Sequence, residues 1–186
     1  MKKYQIIYAD PPWKYNSRAD HKTRFRGGAY GHYKLMGMDE LRNMGSGIKE
    51  IAGKNCALLM WATFPMLSEA LWLMEQWGFE YKTLGFLWMK ANKINGFPFF
   101  GVGFYSKSNA EICLLGIKGR MKPITNKVSQ VVLAPRGEHS QKPKEVRNKI
   151  VELFGDLPRI ELFARQKTEG WDVWGNEVES DIILTP

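Results

Sequence analysis

Asp10-Pro11-Pro12-Trp13 joins a carboxylate, a rigid double-proline turn and an aromatic ring in four consecutive residues, a combination suited to catalysis. An amino group conjugated to an aromatic ring, such as adenine's exocyclic nitrogen, is a poor nucleophile because its lone pair is spread into the ring. Two hydrogen-bond acceptors beside that NH2 draw it toward a tetrahedral shape and turn the lone pair toward a methyl donor. The Asp10 carboxylate offers one acceptor and the Pro11 carbonyl the other. Pro11 and Pro12 stiffen the turn, so the acceptors need little reorganisation as the reaction proceeds. Trp13 stands where it can stack on a base swung out of its strand. An Asp-Pro turn is common in itself, so the meaning of these four residues rests on what surrounds them.

What must position them is an open sheet. Residues 4–9 are β-branched and aromatic and predict a strand that stops at the prolines. A helix is expected over 38–52, weakened by Gly45 and Gly47, and then a strand over 56–62. Pro65 opens a helix that runs to Trp77 and is closed by Gly78. Strands follow over 80–90, 110–117 and 128–134. Val146, Ile150, Val151 and Phe154 fall at helical spacing, so a helix runs from Pro143 to Phe154 and ends at Gly155. Residues 159–163 and 171–175 complete the strands. Strands alternating with helices predict one α/β domain over 1–186, its sheet largely parallel with helices on both faces. Ligands in such sheets bind at the carboxyl ends of strands, where Asp10 and Arg165 both fall.

The chain has 186 residues, 44% of them hydrophobic and 25% charged, which excludes a disordered chain. Its net charge of +8 fits a polyanionic partner, since Lys and Arg displace counterions from phosphates. Cys56 and Cys113 lie in apolar runs and read as buried, reduced thiols. The histidines His21, His32 and His139 do not have metal-ligand spacing, and no metal is expected. No signal peptide or membrane span is read, so the expected location is the cytoplasm, of a bacterium or a phage-infected host.

Several segments in fixed order carry a resemblance. They are Tyr8 through Trp13, His32-Tyr33 with Met36, Met38-Asp39-Glu40-Leu41, Leu59 through Thr63, and Trp88-Met89-Lys90. Glu111 with Leu114-Leu115-Gly116, then His139 through Pro143, Ile160 through Arg165, Gly170-Trp171 and Trp174 through Glu177 complete them. The chain resembles the DPPW-type adenine amino-methyltransferases, a family that includes the eukaryotic messenger-RNA adenosine methyltransferase and small bacterial and phage DNA adenine methyltransferases. The resemblance implies a Rossmann-like class I methyltransferase fold with permuted motif order, the catalytic loop preceding the cofactor segment. It implies S-adenosylmethionine as cofactor. Catalysis falls to Asp10, Pro11, Pro12 and Trp13. Cofactor binding falls to Asp10, Lys142, Glu161, Arg165, Asn176 and Glu177, with Lys142 toward the cofactor carboxylate. Nine residues precede Asp10, so the pocket for the cofactor's adenine ring is expected to be completed differently from the eukaryotic relatives, in part by the loop near Arg136.

Two basic, aromatic loops are candidates for nucleic-acid contact. The first holds Lys14, Arg24, Arg26 and Tyr33; the second holds Lys90 and Lys93 with Phe97, Phe99, Phe100, Phe104 and Tyr105. DNA is favoured over RNA, the protein acting as monomer or homodimer. The alternatives are the same methylation on RNA adenosine, a catalytically inactive nucleic-acid-binding subunit, or methylation of a protein amide.

Overall fold

The structure is a computed structural model that describes residues 2–14, 35–101, 105–137 and 141–184. Strand β1 (Tyr4–Ala9) is followed by helices α1 (Met38–Asn43) and α2 (Gly45–Ile51) and strand β2 (Ala52–Ala62). A short 3-10 turn over Phe64–Met66 leads into α3 (Leu67–Gln76). Strands β3 (Glu80–Ala91), β4 (Ala110–Lys118) and β5 (Val131–Pro135), helix α4 (Lys144–Phe154), and strands β6 (Arg159–Leu162) and β7 (Asp172–Trp174) follow.

The strands make one seven-stranded sheet in the order β5-β3-β4-β2-β1-β6-β7. Every pairing is parallel except the two made by β4, which runs antiparallel to β2 and β3. Side chains alternate between two cores. Ile7, Ala9, Leu58 and Met60 pack with Leu41, Ile48, Leu73 and Met74 of α1, α2 and α3 on one face. Ile6, Tyr8, Leu59 and Trp61 pack with Val146, Ile150 and Phe154 of α4 on the other. Each such large aliphatic side chain, fully buried, contributes roughly 1.5–3 kcal/mol. The architecture is thus the Rossmann-like α/β fold with helices on both faces.

The chain reaches β2 from β1 through helices on one face, and reaches β6 through the helix on the other. The crevice therefore opens above the carboxyl end of β1, where the connections part. Asp10 stands there.

Some element boundaries differ from expectation. The helix expected over 38–52 is two helices that break at Met44. The indole N–H of Trp77 donates to the Leu41 carbonyl at 2.8 Å, the acceptor a continuous helix would give to Gly45. Strand β2 begins at Ala52, because Tyr4 already pairs with Ala52 across the sheet. Strand β5 spans Val131–Pro135 rather than 128–134, set by its register against Leu87 through Ala91.

Candidate active site

The Asp10 loop is held by three hydrogen bonds to two residues distant in sequence, Met36 and Trp61. Pro12 accepts from the backbone N–H of Met36 at 2.9 Å, and the backbone N–H of Lys14 donates to Met36 at 3.2 Å. The Trp13 indole N–H donates to the Trp61 carbonyl at 3.0 Å, at the end of β2. Trp13 is 6% exposed and belongs to the core beneath the loop. This corrects the expectation that its ring stacks on a base: burial and the bond to Trp61 make it an anchor for the loop. The Pro11 carbonyl, expected to serve as an acceptor, takes the Trp13 backbone N–H at 2.9 Å and keeps its second lone pair.

Beside Asp10 runs a line of charges alternating in sign. Lys142 Nζ donates to Asp10 Oδ2 at 2.7 Å and lies 3.3 Å from Glu111 Oε2. Lys90 Nζ lies 2.6 Å from Glu111 Oε1. The order is therefore Asp10, Lys142, Glu111, Lys90. The parallel strands β1 and β3 deliver Asp10 and Lys90 at their carboxyl ends. Because β4 runs the other way, it delivers Glu111 to the same rim from its start. The lysines also lie over indole rings, Lys142 over Trp61 at 5.6 Å and Lys90 over Trp88 at 5.4 Å. Those rings meet edge to face at 6.3 Å, and Trp61 donates its N–H to the Tyr8 hydroxyl at 2.6 Å.

Burial shifts these groups. It pushes the Asp10 carboxyl above its ordinary range, an effect Lys142 opposes and Glu111 reinforces. Burial also pushes Glu111 upward, but Lys142 and Lys90 together outweigh it and hold that carboxyl below its ordinary range. Burial would lower Lys142, yet Asp10 and Glu111 raise it, so it stays a cation. A consequence is testable. The acid limb of the pH–rate profile for kcat/KM is expected above the ordinary carboxylate value of about 3.9. Lys142→Met removes the cation that lowers Asp10 and moves the limb higher still. A limb at the ordinary value in both proteins contradicts the assignment. For stability the sign is opposite: the contribution of Asp10 is present below its unfolded pKa and is lost as pH rises through its raised folded value.

The strands β6 and β7 build the other half of the crevice. Glu161 is buried, and both its oxygens accept from Arg147, at 2.7 Å from Nε and 2.6 Å from Nη2. The charged partner of Glu161 is thus Arg147 of α4 and not Arg165 of its own segment. Arg165 instead donates through Nε to both Glu177 oxygens, at 3.1 and 3.2 Å. Asn176 is exposed on the turn beside Glu177. Phe163, at the end of β6, has the left-handed φ of 61°, and its ring meets Trp174 edge to face at 5.5 Å. Such strain in a non-glycine residue persists where surrounding packing enforces it, often beside functional sites. Gly175 is required here, since a Cβ on it would stand 2.1 Å from the Ala164 carbonyl.

A cleft of about 580 Å³ adjoins Glu111, lined among others by Trp88, Lys90, Lys93, Phe99 and Arg136. The Arg136 guanidinium lies 3.7 Å from the Phe99 ring centre. Lys90 and Lys93 thus meet at this cleft, and Lys14 is exposed. Tyr33, Arg24, Arg26, Phe104 and the histidines His21, His32 and His139 lie outside the described residues. Cys56 and Cys113 are buried, and burial pushes the Cys56 thiol up to about 12. Two participants escaped the sequence reading as site residues, Glu111 and Arg147. Glu111 heads the apolar run of β4, and Arg147 lies in a charged segment but falls on the buried side of α4 with Val146 and Ile150.

The MT-A70 family model matches residues 4–177. The chain is 34% identical over 200 residues to the type II methyltransferase M.MunI of a Mycoplasma species, across all of this chain and 82% of that protein. It is 27% identical over 180 residues to a putative N(6)-adenosine-methyltransferase MT-A70-like protein of Medicago truncatula, across 95% of this chain and 26% of that one. It is 24% identical over 188 residues to the human N(6)-adenosine-methyltransferase catalytic subunit METTL3, across 99% of this chain and 30% of that one. The chain therefore spans most of the first relative and under a third of the other two.

Proposed function

We propose, because this chain belongs to the MT-A70 family of methyltransferases, that it transfers a methyl group to the exocyclic amino nitrogen of adenine in DNA. The observation that carries the proposal is the Asp10–Lys142 pair, 2.7 Å apart at the carboxyl end of β1. A carboxylate beside an ammonium is the complement of an amino-acid zwitterion, the form of the methionyl end of S-adenosylmethionine. The donor set therefore fits that cofactor, which when bound supplies an electrophilic sulfonium methyl group.

Lys142 would hold the carboxylate of the methionyl end and Asp10 its ammonium. Asn176 and Glu177 on the β7 turn would take the ribose hydroxyls, with Arg165 holding Glu177. The remaining lone pairs of Asp10 and the Pro11 carbonyl accept from the adenine amino group, and the stiff turn keeps them aimed. Lys90 and Lys93 carry the neighbouring phosphates. The similarity to a type II methyltransferase over the whole chain supports DNA as substrate, and the net charge of +8 supports a polyanion.

The test supplies S-adenosylmethionine labelled in its methyl group with DNA, RNA and protein in parallel, followed by digestion to nucleosides or amino acids. The expected product is labelled N6-methyladenine from DNA. Label confined to RNA overturns the substrate, and label confined to protein overturns the chemistry. Among the described residues no helix is long and apolar enough to cross a membrane.

A further inference from the structure

The segment after β3 folds into a tight turn at the mouth of the cleft. The Asn92 N–H donates to the Phe97 carbonyl at 2.8 Å and the Gly96 N–H to the Asn92 carbonyl at 3.0 Å. The Asn92 side chain accepts from the Ile94 N–H at 2.9 Å, and the Asn95 side chain from the Phe97 N–H at 3.1 Å. Ala91 bridges Pro98, and the Phe99 N–H donates to the Lys90 carbonyl at 2.7 Å. Gly96 takes the left-handed φ of 69° that closes the turn. The turn is thereby tied at its base to the strand end that carries Lys90.

At its tip the turn presents apolar side chains to water. Ile94 is 94% exposed and Phe97 70% exposed. One exposed apolar residue is ordinary. Two on a single braced turn, at the rim of the cleft that adjoins Glu111, are a shaped projection. Lys93 beside them is exposed, and Arg136 faces the same cleft.

We propose that the Asn92–Phe97 turn is a wedge that enters duplex DNA beside the target adenine, Ile94 and Phe97 filling the stack the base vacates while Lys93 meets the phosphate. This rests on the adenine methylation proposed above. A paired adenine must leave the duplex before Asp10 can reach its amino group, at the cost of lost stacking. Apolar side chains inserted between base steps offset that cost in proteins that kink DNA. A pre-braced turn enters without an ordering penalty of its own. A single strand has no paired duplex to hold open, so the wedge serves duplex substrate.

The experiment compares methylation of linear duplex DNA with that of the same DNA after heat denaturation and rapid cooling, using labelled S-adenosylmethionine. The proteins are wild type, Ile94→Ser/Phe97→Ser, and the conservative Ile94→Leu/Phe97→Leu. The serine variant is expected to lose about tenfold in kcat/KM on duplex and under threefold on denatured DNA, since the wedge offsets part of the cost of unstacking. The leucine variant is expected to keep duplex activity. Thermal melting of the serine variant matching wild type confirms that the exposed tip leaves the fold intact. Equal loss on both substrates, or no loss on duplex, overturns the wedge while leaving adenine methylation standing. A wild-type protein that methylates neither DNA form, or RNA alone, overturns the functional reading and the wedge with it.

Discussion

Asp10→Asn is expected to lower kcat/KM for methyl transfer by about 10²- to 10³-fold, the range found when a preorganised electrostatic contact is removed from an active site. Asparagine keeps the shape of the side chain and one oxygen acceptor, so the loss isolates the charge. In the native chain that charge sits 2.7 Å from Lys142, on a loop whose backbone is pinned through Met36 and whose Trp13 is pinned to Trp61. Without it, Lys142 retains Glu111 at 3.3 Å, and the charge line beside the crevice gains a net positive end. A cofactor ammonium brought to that end would meet repulsion in place of attraction. The substitution should therefore raise the dissociation constant for S-adenosylmethionine as well as lower kcat. Steady-state rates on DNA and a calorimetric titration of the cofactor measure both. A variant within threefold of wild type in both quantities would remove Asp10 from the chemistry.

How much of this was legible beforehand depends on the range over which each feature is decided. Strand β1 was read at its observed limits, because Ile6, Ile7 and Tyr8 favour a strand locally and Pro11 ends it locally. Helix α4 was likewise read from its own apolar spacing and its stop at Gly155. The direction of β4 was hidden, since alternation of side chains is the same in either direction. That direction matters, because it alone brings Glu111 to the rim that holds Asp10 and Lys142. The break at Met44 was hidden too: the glycines signalled weakness, but the break is completed by Trp77, from beyond β2 and α3. Trp13 shows the same limit in the site itself. An aromatic after a rigid turn can face a ligand or the core, and the choice is made by a carbonyl 48 residues away. Glu111 at the head of an apolar run, and Arg147 on the apolar side of an amphipathic helix, were the usable signals that went unread. Burying Glu111 or Arg147 alone is costly, so each position announced a partner without saying which.

The Arg147–Glu161 pair gives the largest expected effect on folding. Arg147 is 7% exposed and Glu161 7% exposed, and the guanidinium meets both carboxylate oxygens while lying 5.6 Å from the Tyr8 ring centre. Arg147→Met leaves the Glu161 carboxylate buried without its cation, a loss of about 3–5 kcal/mol for a broken buried pair. For a chain of this size that lowers the melting temperature by about 10 °C. Replacing both, as Arg147→Met/Glu161→Met, removes the desolvation cost along with the attraction and is expected to recover most of the loss. Thermal unfolding of the three proteins reads the coupling directly, and a double variant as unstable as the single one contradicts it. The recovered double variant then answers a question the ion pair poses about function. Glu161 stands at the end of β6, one strand from Asp10, and its oxygens retain lone pairs beyond those that Arg147 takes. If those lone pairs serve the cofactor, the folded double variant binds S-adenosylmethionine more weakly than wild type. If binding is unchanged, Glu161 belongs to the framework, and the cofactor half of the site reduces to Asp10, Lys142 and the β7 turn with Arg165.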